Sequence, residues 1–243
     1  LQETARLRAK RRFHLRDLVF HVLVIALAIV MVYPLLWMLT SSFKPGTEIF
    51  KTASFLPETW TLDNYSQGWQ GISGYSFWVF LSNSLFVVAM VMLGNVFSCS
   101  LTAFAFAKIR FPLSGFWFAI MLGTLMLPFH ARLIPQYVIF NSLGWVNTYI
   151  PLILPKFFAT EGFFVFMMTQ YMRGLPKEMD EASRIDGCGY FMHYWRIILP
   201  LTVPSIITTC IFSFIWTWND FFSQMIYLSK IETYTVALAL RQY

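Results

Sequence analysis

Two carboxylates stand where an apolar chain tolerates them least. Glu161 and Asp220 lie in stretches otherwise apolar and long enough to cross a bilayer. A charged side chain at the bilayer centre costs about 2.5 to 3.5 kcal/mol on insertion scales, so each needs a partner, a proton or water. Lys156 shares the first stretch, and Asp220 closes the run Trp216-Thr217-Trp218-Asn219-Asp220-Phe221. Aromatic rings beside an amide and a carboxylate suit sugars, whose rings offer apolar faces and hydroxyl rims. Glu161, Trp216, Asn219 and Asp220 are therefore candidates for lining a solute path. The same carboxylates also fit packing against a partner subunit, and the tryptophans an aromatic belt at the outer membrane surface.

Bond-making chemistry is not indicated. The chain has no Gly-x4-Gly-Lys-Ser/Thr phosphate loop, no His-Glu-x2-His and no Gly-x-Ser-x-Gly. Cys99, Cys188 and Cys210 are far apart, and His14, His21, His130 and His193 are scattered. These patterns predict no catalytic, cofactor or metal site, and neither a disulfide framework nor ATP hydrolysis by this chain.

The other notable stretch is a charged break between two apolar runs: Glu181-Ala182-Ser183-Arg184-Ile185-Asp186-Gly187, nine further residues, then Ile197-Ile198-Leu199-Pro200, with Pro204 beyond. Gly174 and Pro176 end one helix and start another, because proline is tolerated in a first helical turn and displaces the residue before it from helical geometry. A short helix from about Pro176 to Asp186 follows. Glu178, Asp180 and Glu181 lie toward its N-terminal half, where the helix dipole favours carboxylates, and Gly187 is placed to close its far end. At 100° per residue, Met179, Ala182, Ser183 and Asp186 are assigned to one small-residue face, with Asp180, Glu181 and Arg184 opposite. At roughly 16 Å such a helix is too short to span a hydrocarbon layer of about 30 Å, and suits lying across a partner.

The spacing Glu-Ala-Ser-x3-Gly-x9-Ile-x-Leu-Pro resembles the cytoplasmic loop of membrane subunits in ATP-binding-cassette importers. The Ser-Phe-Lys-Pro that closes the first apolar run, Leu62-Asp63-Asn64-Tyr65 and the Trp216–Phe221 run are similar to the carbohydrate branch, in particular to the smaller permease subunit of maltose-type importers. The resemblance implies a type I importer permease fold in a bacterial or archaeal inner membrane. Met179, Glu181, Ala182, Ser183, Ile185, Asp186 and Gly187 would dock onto an ATPase. Its implied partners are a second permease subunit, two cytoplasmic ATPase subunits that carry ATP and Mg, an extracytoplasmic solute-binding protein and a sugar or oligosaccharide solute, with no nucleic acid. A permease for a non-sugar solute and an ion-coupled carrier remain alternatives.

The elements that would position these residues follow from composition. Hydrophobic residues are 57%, charged residues 12% and mean hydropathy is +0.58, whereas soluble domains carry about 25% charge. The chain is therefore expected to be an all-α polytopic helical bundle in membrane lipid. Expected spans are 18–40, 77–107, 113–134, 146–172 and 204–228, in one transmembrane domain, 18–243, that follows a basic tail, 1–17. Loops are expected at 41–76 and at 135–145, a docking loop at 173–200, and a mixed tail at 230–243. The run 18–40 lacks a small-x-small cleavage pattern and reads as a retained span. The chain starts at Leu1 and is expected to lack its own beginning; a sixth helix is expected beyond Tyr243. With the N-terminus inside, twelve lysines and arginines fall on inner segments and five on outer ones, which places the docking loop in the cytoplasm.

Overall fold

A computed structural model describes residues 15–49 and 54–242. Most of the basic tail, 1–14, and Lys51 lie outside the described residues. Those described are helical, with no strand.

Two compact units are present, divided after Trp69. The first holds α1 (Leu15–Ser41) and most of α2 (Asp63–Gln70). Ser41 is the one buried position in α1. Its side chains are apolar on every side, so no face is marked for packing within the chain. Beyond it Asn64 Nδ2 donates to the carbonyls of Ser42 (3.0 Å) and Lys44 (2.6 Å), the buried Lys44 ammonium donates to Ser54 O (2.6 Å), and Phe43 packs between Trp60 and Tyr65.

The second unit is organised around α3 (Phe77–Lys108), whose 32 residues make a rod of about 48 Å. Against it lie α7 (Gly162–Arg173) and α11 (Val203–Asn219). Apolar residues pack one end of this assembly, with Phe104, Phe164, Met168, Met172 and Ile198 buried, and a second cluster of Val87, Val91, Leu133, Leu152 and Leu238 fills the other.

Prolines decide where the apolar runs break. The expected span 113–134 is instead α4 (Ser114–Thr124) and α5 (Phe129–Ser142), meeting at 98°, because Pro128 pushes Leu127 out of helical geometry. Helix α5 then continues through Pro135 into the stretch expected as loop. It ends at a C-terminal glycine motif: Gly144 (φ +69°) donates to Asn141 O, Trp145 N–H donates to Phe140 O, and the Trp145 and Phe140 rings stack.

The expected span 146–172 is a helix, α6 (Ile150–Ile153), a 3-10 turn (Leu154–Phe158), and then α7. After α8 (Lys177–Ile185) come α9 (Tyr190–His193), a π-helical turn (Tyr194–Ile198) and α10 (Leu199–Leu201). The widened turn lies just ahead of Pro200, which has no N–H and whose ring would crowd the carbonyl one turn back. The chain then bends by 74° into α11.

Helix α11 stops at Asn219, and the rest of the expected span 204–228 is a separate α12 (Phe222–Tyr227). Among the described residues, three helical stretches, Leu15–Ser41, Phe77–Lys108 and Ile150–Arg173, are long and apolar enough to cross a membrane, or five if each bent pair is one crossing. The expected mixed tail is in fact packed: α13 (Val236–Ala239) buries Val236, Leu238 and Ala239, and Asn83 Nδ2 on α3 donates to Glu232 O and Tyr234 O, both at 2.9 Å.

Candidate functional site

Two sites stand out, one at the last turn of α3 and the other beside its middle. The first is α8, which the sequence places from Pro176 to Asp186 and the structure from Lys177 to Ile185, with those two residues as caps. Gly187, at φ +74°, donates to Arg184 O (3.1 Å), and Cys188 N–H donates to Ser183 O (2.9 Å). That paired bond is the glycine-dependent helix stop, and it leaves α8 with a fixed length and end.

The faces of α8 differ from the sequence assignment. Ser183 is 3% exposed and so faces the chain itself, while Met179 is half-buried. Asp180, assigned to the opposite face, turns inward with Ser183, since positions three apart are only 60° apart around a helix. Glu181, Ala182, Ile185, Asp186 and Gly187 remain exposed, Ile185 at 87%. With Glu178, the residues Glu181, Ala182 and Ile185 form an i, i+3, i+4, i+7 stripe facing out.

The inner side of α8 is tied by one carboxylate. Asp180 Oδ2 accepts from Lys108 Nζ at the last turn of α3 (2.8 Å), and Asp180 Oδ1 accepts from His193 Nε2 on α9 (3.0 Å). Because a carboxylate only accepts, Nε2 carries the imidazole proton in this pair. The Lys108 and His193 side chains are 6% and 8% exposed, and Ser183 Oγ donates to Asp180 O. None of this was assigned from sequence. Lys108 served only as a topology marker, and His193 lies 13 positions from Asp180, off any helical period.

The second site is a cleft of about 430 Å³ that brings together all four sequence-predicted path residues, Glu161, Trp216, Asn219 and Asp220, with Lys156, Asn95, Ser213, Thr217 and Gln224. Glu161 finds its partner in Lys156, with which it forms an ion pair. Asp220 has no ion pair among the described residues. Its Oδ1 accepts from Ser223 N–H (3.0 Å), so part of its work is to hold the start of α12. Trp216 stacks on Phe164 (centroids 5.1 Å apart, planes at 21°) and stays half exposed. The Asn219 amide donates to Ile215 O (2.7 Å).

This cleft depends on the interruption between α6 and α7. Ala159 takes a left-handed backbone (φ +52°), which costs a residue with a Cβ about 1–2 kcal/mol. Ser98 on α3 holds it there: its Oγ accepts from Ala159 N–H (3.1 Å) and shares its proton between Lys156 O (2.7 Å) and Gly94 O (2.8 Å). A hydroxyl thus satisfies backbone groups that the broken helix frees, as an apolar environment demands. One turn earlier, a Cβ on Gly94 would meet the Phe157 ring at 2.8 Å, so only glycine lets the 3-10 turn approach.

Asn95 Nδ2 donates to Ser213 Oγ on α11 (3.0 Å), while its Oδ1 is buried without a partner among the described residues, in a residue 2% exposed. By residue type alone, an amide and a hydroxyl in an apolar run favour contact between helices, which is all that Asn95 and Ser98 declare in the sequence.

Known proteins resemble this chain over most of its length. Residues 76–242 match the family model described as "Binding-protein-dependent transport system inner membrane component". A probable ABC transporter permease, YurM of Bacillus subtilis, is 34% identical over 96% of this chain and 77% of its own. The arabinooligosaccharides transport system permease AraQ of Halalkalibacterium halodurans is 33% identical over 88% of this chain and 76% of its own. A solved bacterial ABC transporter involved in the import of the acidic polysaccharide alginate has the same fold, with a TM-score of 0.83 at 22% identity, over 93% of this chain and 78% of its own.

Proposed function

The chain belongs to the family of binding-protein-dependent transport system inner membrane components, the permeases of ATP-binding-cassette importers, and from that membership we propose that it forms half of the pore of an ATP-driven sugar or oligosaccharide importer. It works with a second permease subunit, two cytoplasmic ATPases holding ATP and Mg, and an extracytoplasmic binding protein, and its N-terminus is cytoplasmic. The chain itself moves solute and leaves nucleotide chemistry to its partners.

The observation that carries this reading is the outward stripe of α8, Glu178, Glu181, Ala182 and Ile185, on a helix whose two ends are fixed. A short helix held on its inner side and bare on its outer side suits a groove in another subunit, where Ile185 would bury its apolar side chain and Glu181 would meet a cation. Glycan as the solute is supported by the arabinooligosaccharide relative and by a cleft that pairs the half-exposed Trp216 ring with the polar groups of Asn219 and Asp220.

The test is uptake by the whole complex, reconstituted with its ATPases and binding protein, against a panel of neutral and acidic mono- and oligosaccharides. Transport of a glycan that needs ATP and survives collapse of ion gradients is expected. Uptake that persists without ATP and follows an ion gradient would refute the importer reading; ATP-driven uptake of a non-glycan alone would refute only the solute.

A further inference from the structure

We propose that Asp180 is a positioning residue, the joint through which α8 moves both walls of the cleft at once, without itself meeting solute, nucleotide or the ATPase. The proposal rests on the reading of α8 as the ATPase-docking helix.

Asp180 is gripped from two directions by two separate arms of the chain. Lys108 is the last residue of α3, and along that rod Ser98 and Asn95 lie ten and thirteen positions away, about 15 and 20 Å. His193 ends α9, from which the π-helical turn and α10 lead to α11 with Ser213 and Trp216. The arms are tied to each other on the way, where the Ser100 and Tyr194 hydroxyls meet at 2.7 Å, and again at the cleft, where Asn95 meets Ser213 at 3.0 Å.

The result is a closed frame. One end is a single carboxylate on α8 and the other is the lining of the cleft. A push on α8 cannot move α3 without also moving the α11 arm while both bonds to Asp180 hold.

The chemistry suits a joint. Two hydrogen bonds to one carboxylate fix its direction as well as its distance, and with Lys108 one of them is also an ion pair. With both donors nearly buried, removing the carboxylate leaves an ammonium and an imidazole N–H without their acceptor. Rather than slacken, α8 then loses its alignment to both arms. The outer stripe is on the opposite side and keeps its own contacts.

The test uses the complete importer in proteoliposomes, with solute taken up and ATP hydrolysed measured together. In Asp180→Ala and in the isosteric Asp180→Asn, the ATPase subunits are expected to copurify as in the wild type and to hydrolyse ATP within threefold of it, while solute moved per ATP falls at least tenfold. Lys108→Met and His193→Ala each cut one arm and are expected to lower that ratio severalfold, even if the Asp180 variants fail to accumulate. Asp180→Glu keeps a carboxylate and should recover much of the ratio. An unchanged ratio in all of these would overturn the joint. Loss of the ATPase from the Asp180 variants alone would make Asp180 a docking contact and overturn it too. A wild-type chain that binds no ATPase would remove the docking reading beneath it.

Discussion

The docking end and the cleft are made of the same kinds of groups, yet they are finished differently. Around α8 the helix end is closed by the Gly187 bonds, and Asp180 has a donor on each oxygen, although Nδ1 of His193 is buried without a partner among the described residues. At the cleft the backbone is left-handed at Ala159, Asp220 lacks a described counter-ion, and Asn95 Oδ1 is buried with no donor among the described residues. A carboxylate with a donor on each oxygen moves together with both donors. A site with unfilled bonding capacity has partners still to gain when a solute enters or the walls shift. The contrast suits one end for transmitting force and the other for rearranging.

Substitutions that act at only one end test this division. Glu181→Lys reverses a charge on the exposed stripe, and like charges across an interface cost several kcal/mol, so coupled uptake should fall ~100-fold. Detergent-solubilised permease should unfold at the wild-type temperature; a drop in that temperature would mean the stripe also supports the fold. At the cleft, Ser98→Ala strips the bond partners from Ala159 N–H and Lys156 O. It should destabilise the permease by about 1–3 kcal/mol, visible in thermal unfolding, with uptake reduced alongside.

Gly187→Val forces a β-branched residue into a left-handed position at a cost of about 1–2 kcal/mol. Space around that Cβ is open, so the loss should show as uptake per ATP more than as misfolding. Equal loss of insertion and uptake would contradict a locally rigid docking end. The smallest stability effect is expected for Asn95→Leu combined with Ser213→Ala. Removing both partners of the buried bond, rather than leaving the Ser213 hydroxyl unpaired, should change unfolding by under ~1 kcal/mol. Uptake should nonetheless drop severalfold, separating function from stability at the cleft but not at Ser98.

Much of the docking end is legible in one dimension. Proline and glycine set its bounds through their own backbone limits, so α8 emerges within a residue of where Pro176 and Gly187 put it. Glu161 and Asp220 stand out likewise, because a carboxylate in an apolar run is costly wherever it sits, and the structure lines one cleft with both, Trp216 and Asn219. The orientation of α8 is less legible: assigning Ser183 outward and Asp180 to the opposite side fails because what covers a helix face comes from elsewhere in the chain. The bend inside 113–134 escapes the reading of the span as one continuous run, although its cause is local, since Pro128 stands there to break the helix. The packed segment after Lys230 carries an apolar run, Val236 to Leu240, but one too short to declare by itself what it packs against.

The sequence by itself determined what each residue must avoid or seek: apolar runs that need lipid or a core, prolines and glycines that end helices, and charges that cannot stay alone in a bilayer. Only the tertiary structure decided who meets whom. Lys108 and His193 reach Asp180 across 72 and 13 positions, Ser98 repairs a helix break 58 to 61 positions away, and Asn95 bonds Ser213 across 118. Local preferences act through one or two turns of backbone, whereas a hydrogen bond depends on distance and angle in space, which packing of α3, α7 and α11 sets.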